Sequence, residues 1–511
     1  MPYAHLDEHL RQSAQSFPDA YAYTFLGKDV TYQELDRHVS HVSAFLLSLG
    51  LSRKDGIALI LPNSDAFVTL YHGALRCGLY VVPINPTYTA QEIFYLLQDS
   101  QVKVVAAPYQ MIALAGPLLS LLPNITLLVV GEPDGPLPDR VISYEAMMRQ
   151  DVGSVSLPAE DLDPEDIAVI LYTSGTTGRP KGAMLSHTNL AANADVVGDH
   201  LMYTKDDRVL VVLPMFHVFS LTVCLNAAIY RAAHMVIQAR FSPIDTLKMI
   251  EQAKITIFAG VPTMYNFMLQ AAHGQTFDMR SLRYCISGGA AMPVAVLSAF
   301  EQHFGVTILE GYGLSEASPV TSFAPVDGRP RKVGSIGLSL PGVDQKIVDL
   351  QDQEVAPGTV GELVVRGPNV MQGYWHKEAD TEAALRGGWL HTGDLAKMDE
   401  DGYFYIVDRK KDMIIVGGFN VYPREVEEVL FLHPNVQEAA VVGIKDGNYG
   451  EMVVACVVPK QEGLTENDII EFCHSNLAKY KCPVKVLLMD QLPKNSTGKV
   501  MRRLLREQIE V

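Results

Sequence analysis

The run Tyr172-Thr-Ser-Gly-Thr-Thr-Gly-Arg-Pro-Lys-Gly182 follows an apolar segment, Ile167 to Leu171, and precedes a helical pattern beginning near Asn189. Small and hydroxylated residues in such a run let backbone N–H groups and side-chain hydroxyls converge on phosphate oxygens. Thr173, Ser174, Gly175, Thr176, Thr177 and Gly178 are the candidate phosphate contacts, and Lys181 adds positive charge. The run is not a Walker A loop, which needs Gly-Lys-Ser/Thr; here Pro180 precedes Lys181 and Gly182 follows it.

On both sides of this loop, short apolar runs alternate with amphipathic helical ones. Gly56 to Leu61, Tyr80 to Pro83, Val102 to Ala107, Ile125 to Val130, Asp166 to Tyr172 and Ile255 to Ala259 read as strands. Ala66 to Cys77 and Ala90 to Ser100 read as helices. Strands alternating with helices predict an α/β fold with largely parallel sheets. From about 334 to 408, Gly, Pro and Asp punctuate short strands such as Gln345 to Val348, Gly361 to Val365 and Tyr403 to Val407, predicting a small β-rich subdomain. Beyond it, Pro423 is placed as a first helical residue, and two strands, a helix (Glu466 to Leu477) and a further strand (Val484 to Met489) follow. The expected division is an N-terminal domain, residues 1–409, and an α+β C-terminal domain, residues 410–511.

The chain has 511 residues, too many for one hydrophobic core, and its 48% hydrophobic content is that of a globular protein. Its net charge of −17 argues against general binding of nucleic acid or anionic membrane. From Lys410 onward the net charge is only −1, so the excess acidity lies in the larger domain. Six cysteines without a CxxC pair or metal spacing read as buried thiols of a cytoplasmic protein. The first twenty residues lack a basic start followed by an apolar core, so no secretory signal is expected. Val209 to Tyr230 carries no formal charge over 22 residues, but Pro214, His217 and Asn226 interrupt it. It reads as a buried strand, a loop and a core helix rather than a membrane span.

The loop resembles the signature of the adenylate-forming enzymes, which include acyl-CoA synthetases, luciferases and nonribosomal adenylation domains. The resemblance spans nearly the whole chain, because the other motifs occur in order: Pro214-Met-Phe-His-Val-Phe219, Ser287-Gly-Gly-Ala290, Glu310-Gly-Tyr-Gly-Leu-Ser-Glu316, Trp389-Leu-His-Thr-Gly-Asp394, Asp408-Arg-Lys-Lys-Asp412, Gly417 to Glu427, and Pro493-Lys-Asn-Ser-Thr-Gly-Lys499. The segment Glu310, Gly311, Tyr312, Gly313 begins like a dinucleotide fingerprint, but Glu316 stands where its third glycine belongs.

The resemblance implies ATP, Mg2+ and coenzyme A as cofactor and co-substrates, and a role for each matched residue. Tyr312 matches the aromatic residue that stacks on adenine, with Gly289 and Ala290 beside it. Ser315, where the family usually has threonine, matches a phosphate-contacting hydroxyl. Glu316 matches the acid that holds magnesium, with Thr173 as a second metal contact. Asp394 and Arg409 match ribose-contacting residues, and Lys411 the hinge about which a mobile C-terminal domain rotates. Lys499 matches the lysine that assists adenylate formation. Gly417 and Gly418 match a segment presented to the pantetheine passage in the second half-reaction. His217 is given a gating or positioning role near the thiol's approach.

These residues predict an ATP-dependent acyl-CoA synthetase that activates a carboxylic acid through an acyl-adenylate. The motif wording is most like bacterial long-chain fatty acid–CoA ligases. Phe216, Phe219, Val223, Gly260, Val261, Pro262 and Met264 are the pocket candidates, mostly apolar and without an evident buried charge. Gly260 in particular is expected to leave open room for the acid. A medium-chain or aryl-acid ligase, and a ligase that loads a carrier protein, remain as alternatives. No nucleic-acid partner and no transmembrane span are expected, while peripheral membrane contact and oligomeric state stay open.

Overall fold

The computed structural model describes residues 5–150, 162–173, 180–447, 449–495 and 498–509. Two large mixed sheets dominate the N-terminal part. One has eight strands, ordered Gly373–Tyr374, Lys181–Ser186, Ile167–Thr173, Tyr80–Pro83, Gly56–Leu59, Val104–Pro108, Thr126–Val130 and Val141–Ser143. From Ile167–Thr173 onward its neighbours run parallel. Gly56–Leu59 and Tyr80–Pro83 are buried at every residue, as strands covered by helices on both faces must be. The other sheet has nine strands, with Tyr21–Phe25, His234–Ile237, Arg208–Val211, Ile257–Gly260, Tyr284–Ser287 and Ile308–Gly313 in parallel succession.

The predicted α/β class is the observed one, and most strands fall within a residue or two of their expected bounds. Sequence periodicity missed one strand that matters. Lys181–Ser186 pairs antiparallel with Ile167–Thr173, placing Thr173 opposite Lys181. The glycine- and threonine-rich run therefore joins two antiparallel strands. The helix His187–His200 starts only after the second of them, at Ser186, whose hydroxyl accepts from Asn189 N–H. Ser174, Gly175, Thr176, Thr177 and Gly178 lie outside the described residues.

Val209 to Tyr230 folds as the end of strand Arg208–Val211, a loop, a buried π-helix Ser220–Asn226 and a short helix Ala227–Tyr230. No helix among the described residues is long and apolar enough to cross a membrane. All six cysteines are free and buried.

Four antiparallel strands, Asp344–Val348, Gly361–Arg366, Leu390–Met398 and Phe404–Arg409, form a separate sheet. The small C-terminal domain is built on the long hairpin Val436–Asp446 with Gly450–Pro459. Helices Pro423–Phe431 and Glu466–Asn476 cover one face and helix Arg502–Ile509 covers the other, each with its own apolar cluster.

Candidate active site

The parallel strands end where the four-stranded sheet and the C-terminal domain meet them, and the matched residues collect there. Strand Ile308–Gly313 carries Tyr312, whose hydroxyl donates to Asp394 Oδ2 at 2.5 Å. Asp394 lies on Leu390–Met398, in register with Arg409 on the neighbouring strand, and its Oδ1 is 3.7 Å from Arg409 Nε. Gly289, exposed at the end of strand Tyr284–Ser287, has φ +78, a conformation that side-chain-bearing residues rarely adopt. Ala290 follows it and is exposed as well.

Lys499 enters the same cleft from the C-terminal domain. Asn495 organises the approach: its Oδ1 accepts from Lys499 N–H, its carbonyl accepts from Gly498 N–H, and its own N–H donates to the Lys499 carbonyl. A Cβ on Gly498 would stand 2.6 Å from Thr263 Oγ1 and 3.3 Å from Val261 Cγ2. With φ +79 besides, this position needs glycine for the turn to seat on the N-terminal domain. Burial, then the positive charge of Arg409, push the Lys499 ammonium down to about 7, with Asp394 opposing the shift. Lys499 therefore shares its field with the Asp394–Arg409 pair. Burial followed by Lys499 likewise holds His217 down to about 4, so the imidazole is neutral. Its Nδ1 accepts from Phe219 N–H at 3.3 Å.

On the opposite wall, Glu316 sits in the short 3-10 turn Ser315–Ala317. Its Oε1 accepts from Tyr374 OH at 2.9 Å and from Thr173 Oγ1 at 3.4 Å. Lys181 does not present a free charge: its ammonium is paired with Asp380 and lies 5.5 Å from the Tyr374 ring centroid.

The geometry gives several matched residues partners within the chain and corrects one expectation, at Gly260. Glu310 is buried with its carboxylate on Gly334 N–H, and burial pushes it up to about 7 although Arg424 and Arg331 lie nearby. The missing side chains of Gly311 and Gly313 point at the Phe323 ring and the Pro319 carbonyl, so these glycines serve close packing within the chain. Gly260 leaves no open room, because a Cβ there would lie 3.1–3.3 Å from the buried rings of Phe258 and Tyr265. Val223 is fully buried, in the same apolar cluster as Phe219, Val261 and Met264, which keep slight exposure. Of the other pocket candidates, Phe219 lays its ring against Gly288, while Val261 borders both Gly289 and Gly498. Phe216 is half-buried, and Pro262 and Met264 open the helix Pro262–Ala271.

The hinge motif is braced on both sides of Lys411. Asp408 accepts from Arg424 N–H, while Asp412 pairs with Arg506 and Arg502. Lys411 itself is exposed. Gly417 and Gly418, both with positive φ, form the exposed tip of the hairpin pairing Val416 with Phe419. The observed orientation presents Lys499, not this hairpin, to the cleft. Thr263, Tyr374 and Asp380 were not foreseen, because each acts through a partner distant in sequence and no local pattern marks it.

Residues 10–375 match the model of the AMP-binding enzyme family, and residues 425–499 match that of the AMP-binding enzyme C-terminal domain. A long-chain-fatty-acid–CoA ligase of Bacillus subtilis (strain 168) is 40% identical, with 99% of this chain and 95% of the relative covered. Among solved structures, ATP-bound MatB from Rhodopseudomonas palustris is 33% identical with a TM-score of 0.90, covering 99% of each chain. Its apo form gives 0.79 over the same coverage. An anthranilate CoA ligase, AuaEII, in complex with anthranoyl-AMP is 27% identical with a TM-score of 0.90, over 99% of this chain and 98% of that one.

Proposed function

The chain belongs to the AMP-binding enzyme family, as an AMP-forming acyl-CoA ligase with ATP and coenzyme A as co-substrates, and from that premise we propose that it activates a long-chain fatty acid. The observation that carries the chemistry is the seating of the Lys499 turn on the N-terminal domain, with Gly498 against Thr263 and Val261 and the ammonium in the field of Arg409 and Asp394. The acid's carboxylate and the α-phosphate of ATP repel each other, and negative charge builds on their oxygens as they react. An ammonium held between them aligns the two and stabilises that charge. Asp394 and Arg409 receive the ribose, and Tyr312 stacks on adenine with Gly289 and Ala290 beside it. Ser315 and the loop from Thr173 take the phosphates.

The donors on the phosphate side fit a magnesium ion. Glu316 and Thr173 offer hard oxygen ligands, and the described residues hold no cluster of three or more His, Cys, Asp or Glu side chains that would make a self-contained metal cage. An ion carried on nucleotide phosphates needs only one or two protein oxygens. When bound, it neutralises phosphate charge.

In the second half-reaction the C-terminal domain, hinged at Lys411, withdraws Lys499 and brings the Gly417–Gly418 hairpin to the cleft, where the thiolate of coenzyme A displaces AMP. A few residues at a domain junction suffice for such a swing. Neutral His217, fixed by Phe219 N–H, serves to shape the thiol's approach.

The long-chain reading is supported by the relative's name and by the apolar lining at Phe216, Phe219, Val261 and Met264. An aryl acid is the second reading, favoured by the likeness to the anthranilate ligase. Pyrophosphate release measured over acids from acetate to stearate and over benzoates, with and without coenzyme A, separates the two. Best kcat/KM on a benzoate would reject the long-chain reading.

A further inference from the structure

Tyr374 stands between the two charged groups on the phosphate side of the cleft. Its hydroxyl donates to Glu316 Oε1, and its ring faces the ammonium of Lys181. The hydrogen bonds that described residues make to the Glu316 carboxylate all fall on Oε1, from Tyr374 and from Thr173. No described residue hydrogen-bonds to Oε2.

The ring is held from several directions. Gly373 and Tyr374 pair with Met184 and Ala183, at the strand that begins with Lys181. Tyr374 N–H donates to Thr381 Oγ1 at 2.8 Å, and Trp375 N–H donates to the Gly182 carbonyl at 2.8 Å. Met371 N–H donates to the backbone carbonyl of Glu316 at 2.8 Å. The segment 371–375 thus ties the backbone and carboxylate of Glu316 to the strand that carries Lys181. Groups that orient a metal-holding carboxylate typically matter about 10–100-fold in metal affinity.

We propose that Tyr374 is a positioning residue for the phosphate end of the nucleotide: its hydroxyl holds Glu316 through Oε1 and so turns Oε2 toward the divalent cation. The inference rests on the reading of Glu316 as the acid that holds that cation.

The test is Mn2+ binding, followed by electron paramagnetic resonance, to the full chain with a non-hydrolysable ATP analogue. Wild type, Tyr374→Phe, Glu316→Gln and the double variant are compared. Tyr374→Phe should weaken Mn2+ by roughly tenfold or more. Its melting temperature and its calorimetric affinity for AMP, which needs no metal, should stay unchanged. On the Glu316→Gln background the same substitution should add nothing, since the hydroxyl acts through that carboxylate. Wild-type Mn2+ affinity in Tyr374→Phe, beside a loss in Glu316→Gln, would overturn the role of Tyr374 and leave Glu316 standing. An undiminished penalty in the double variant, as general loosening of the cleft would give, would also overturn it. Wild-type affinity in Glu316→Gln would remove the premise itself.

Discussion

The Tyr312 hydroxyl donates to Asp394 Oδ2 at 2.5 Å, joining strand Ile308–Gly313 to strand Leu390–Met398. Tyr312 and Asp394 are thus one unit, with Arg409 3.7 Å from the other carboxylate oxygen. Replacing Asp394 with Asn removes the charge that strengthens hydrogen bonds to ribose hydroxyls. Hydrogen bonds to charged groups contribute about 1.5–3 kcal/mol against about 0.5–1.5 for neutral ones, so the preference for ATP over 3′-deoxy-ATP should shrink by roughly five- to tenfold. The ratio of kcat/KM values for the two nucleotides measures this. An unchanged ratio would take Asp394 out of the ribose site.

Lys499→Ala should slow acyl-adenylate formation by roughly 10²–10³ while leaving thiolysis of supplied acyl-AMP nearly intact. Because the ammonium is pushed down to about 7, the free enzyme loses its cation as pH rises through that value. The kcat/KM for ATP, which reports the free enzyme, should therefore fall above about pH 7. Bound ATP adds negative charge and retains the proton, so kcat should fall only at higher pH. In Lys499→Arg the alkaline decline in kcat/KM should vanish, since guanidinium does not titrate there. A decline that persists in the Arg variant would assign it to another group.

The sequence disclosed strands such as Tyr80–Pro83 because a short apolar run, Leu79 to Ile84 between Gly78 and Asn85, leaves little else to form. It disclosed the family through ordered motifs, several of whose residues the fold brings together, such as Tyr312, Asp394 and Arg409. It did not disclose groups that act through other side chains. Thr263 matters because Gly498, 235 positions later, packs on it; Asp380 matters because Lys181 reaches it. Glu310 shows the converse. It sits inside a motif, yet its carboxylate is buried on the N–H of Gly334, a partner that no local pattern marks.

Gly260 and Gly288 are similarly crowded, but by different rings. At Gly260 a methyl group would press on Phe258 and Tyr265, both fully buried, so Gly260→Ala should lower the melting temperature without altering chain-length preference. Overpacking of this kind costs about 1–3 kcal/mol. At Gly288 a methyl group would stand 3.2 Å from Phe219 Cζ, so Gly288→Ala should displace that ring and shift preference toward shorter acids. Phe219→Leu should shift it the other way. Rates over a series of acids, read beside melting curves, decide; parallel profiles for all three variants would place Phe219 outside the acyl pocket.

Acid should unfold this protein through its buried histidines. Burial holds His5 down to about 4 and His72 down to about 3, whereas both titrate near 6.5 when unfolded. The unfolded chain thus takes up more protons below pH 6.5. The stability is fully present above that value and is lost as pH falls toward the folded values. His72 has no hydrogen-bond partner on either nitrogen among the described residues, so His72→Leu removes a proton acceptor without breaking a bond there. The slope of melting temperature against pH between 6.5 and 4 should be shallower in the variant. An equal slope would show that His72 contributes nothing to acid sensitivity.

The orientation that seats Lys499 is held by contacts that a swing must break. Asn266 Nδ2 donates to the Gln437 carbonyl at 3.1 Å, Val294 N–H donates to Glu428 Oε2 at 3.3 Å, and Gly498 rests on Thr263. At the pivot, the Arg409 carbonyl accepts from Asp412 N–H at 3.0 Å, which makes Lys411 the third residue of a tight turn. Proline at that place would force Lys410 out of the helical region and open the turn, so Lys411→Pro would distort the junction rather than lock it. A cross-link is the cleaner lock. All six native cysteines are buried, so cysteines introduced as Asn266→Cys with Gln437→Cys have no exposed native competitor. Oxidised, this variant should release pyrophosphate in a single turnover at close to the reduced rate and hold its acyl-AMP, forming almost no acyl-CoA. Dithiothreitol should restore acyl-CoA formation. If the oxidised enzyme instead turns over acyl-CoA as fast as the reduced one, both half-reactions run in the observed orientation and Lys411 is not a pivot.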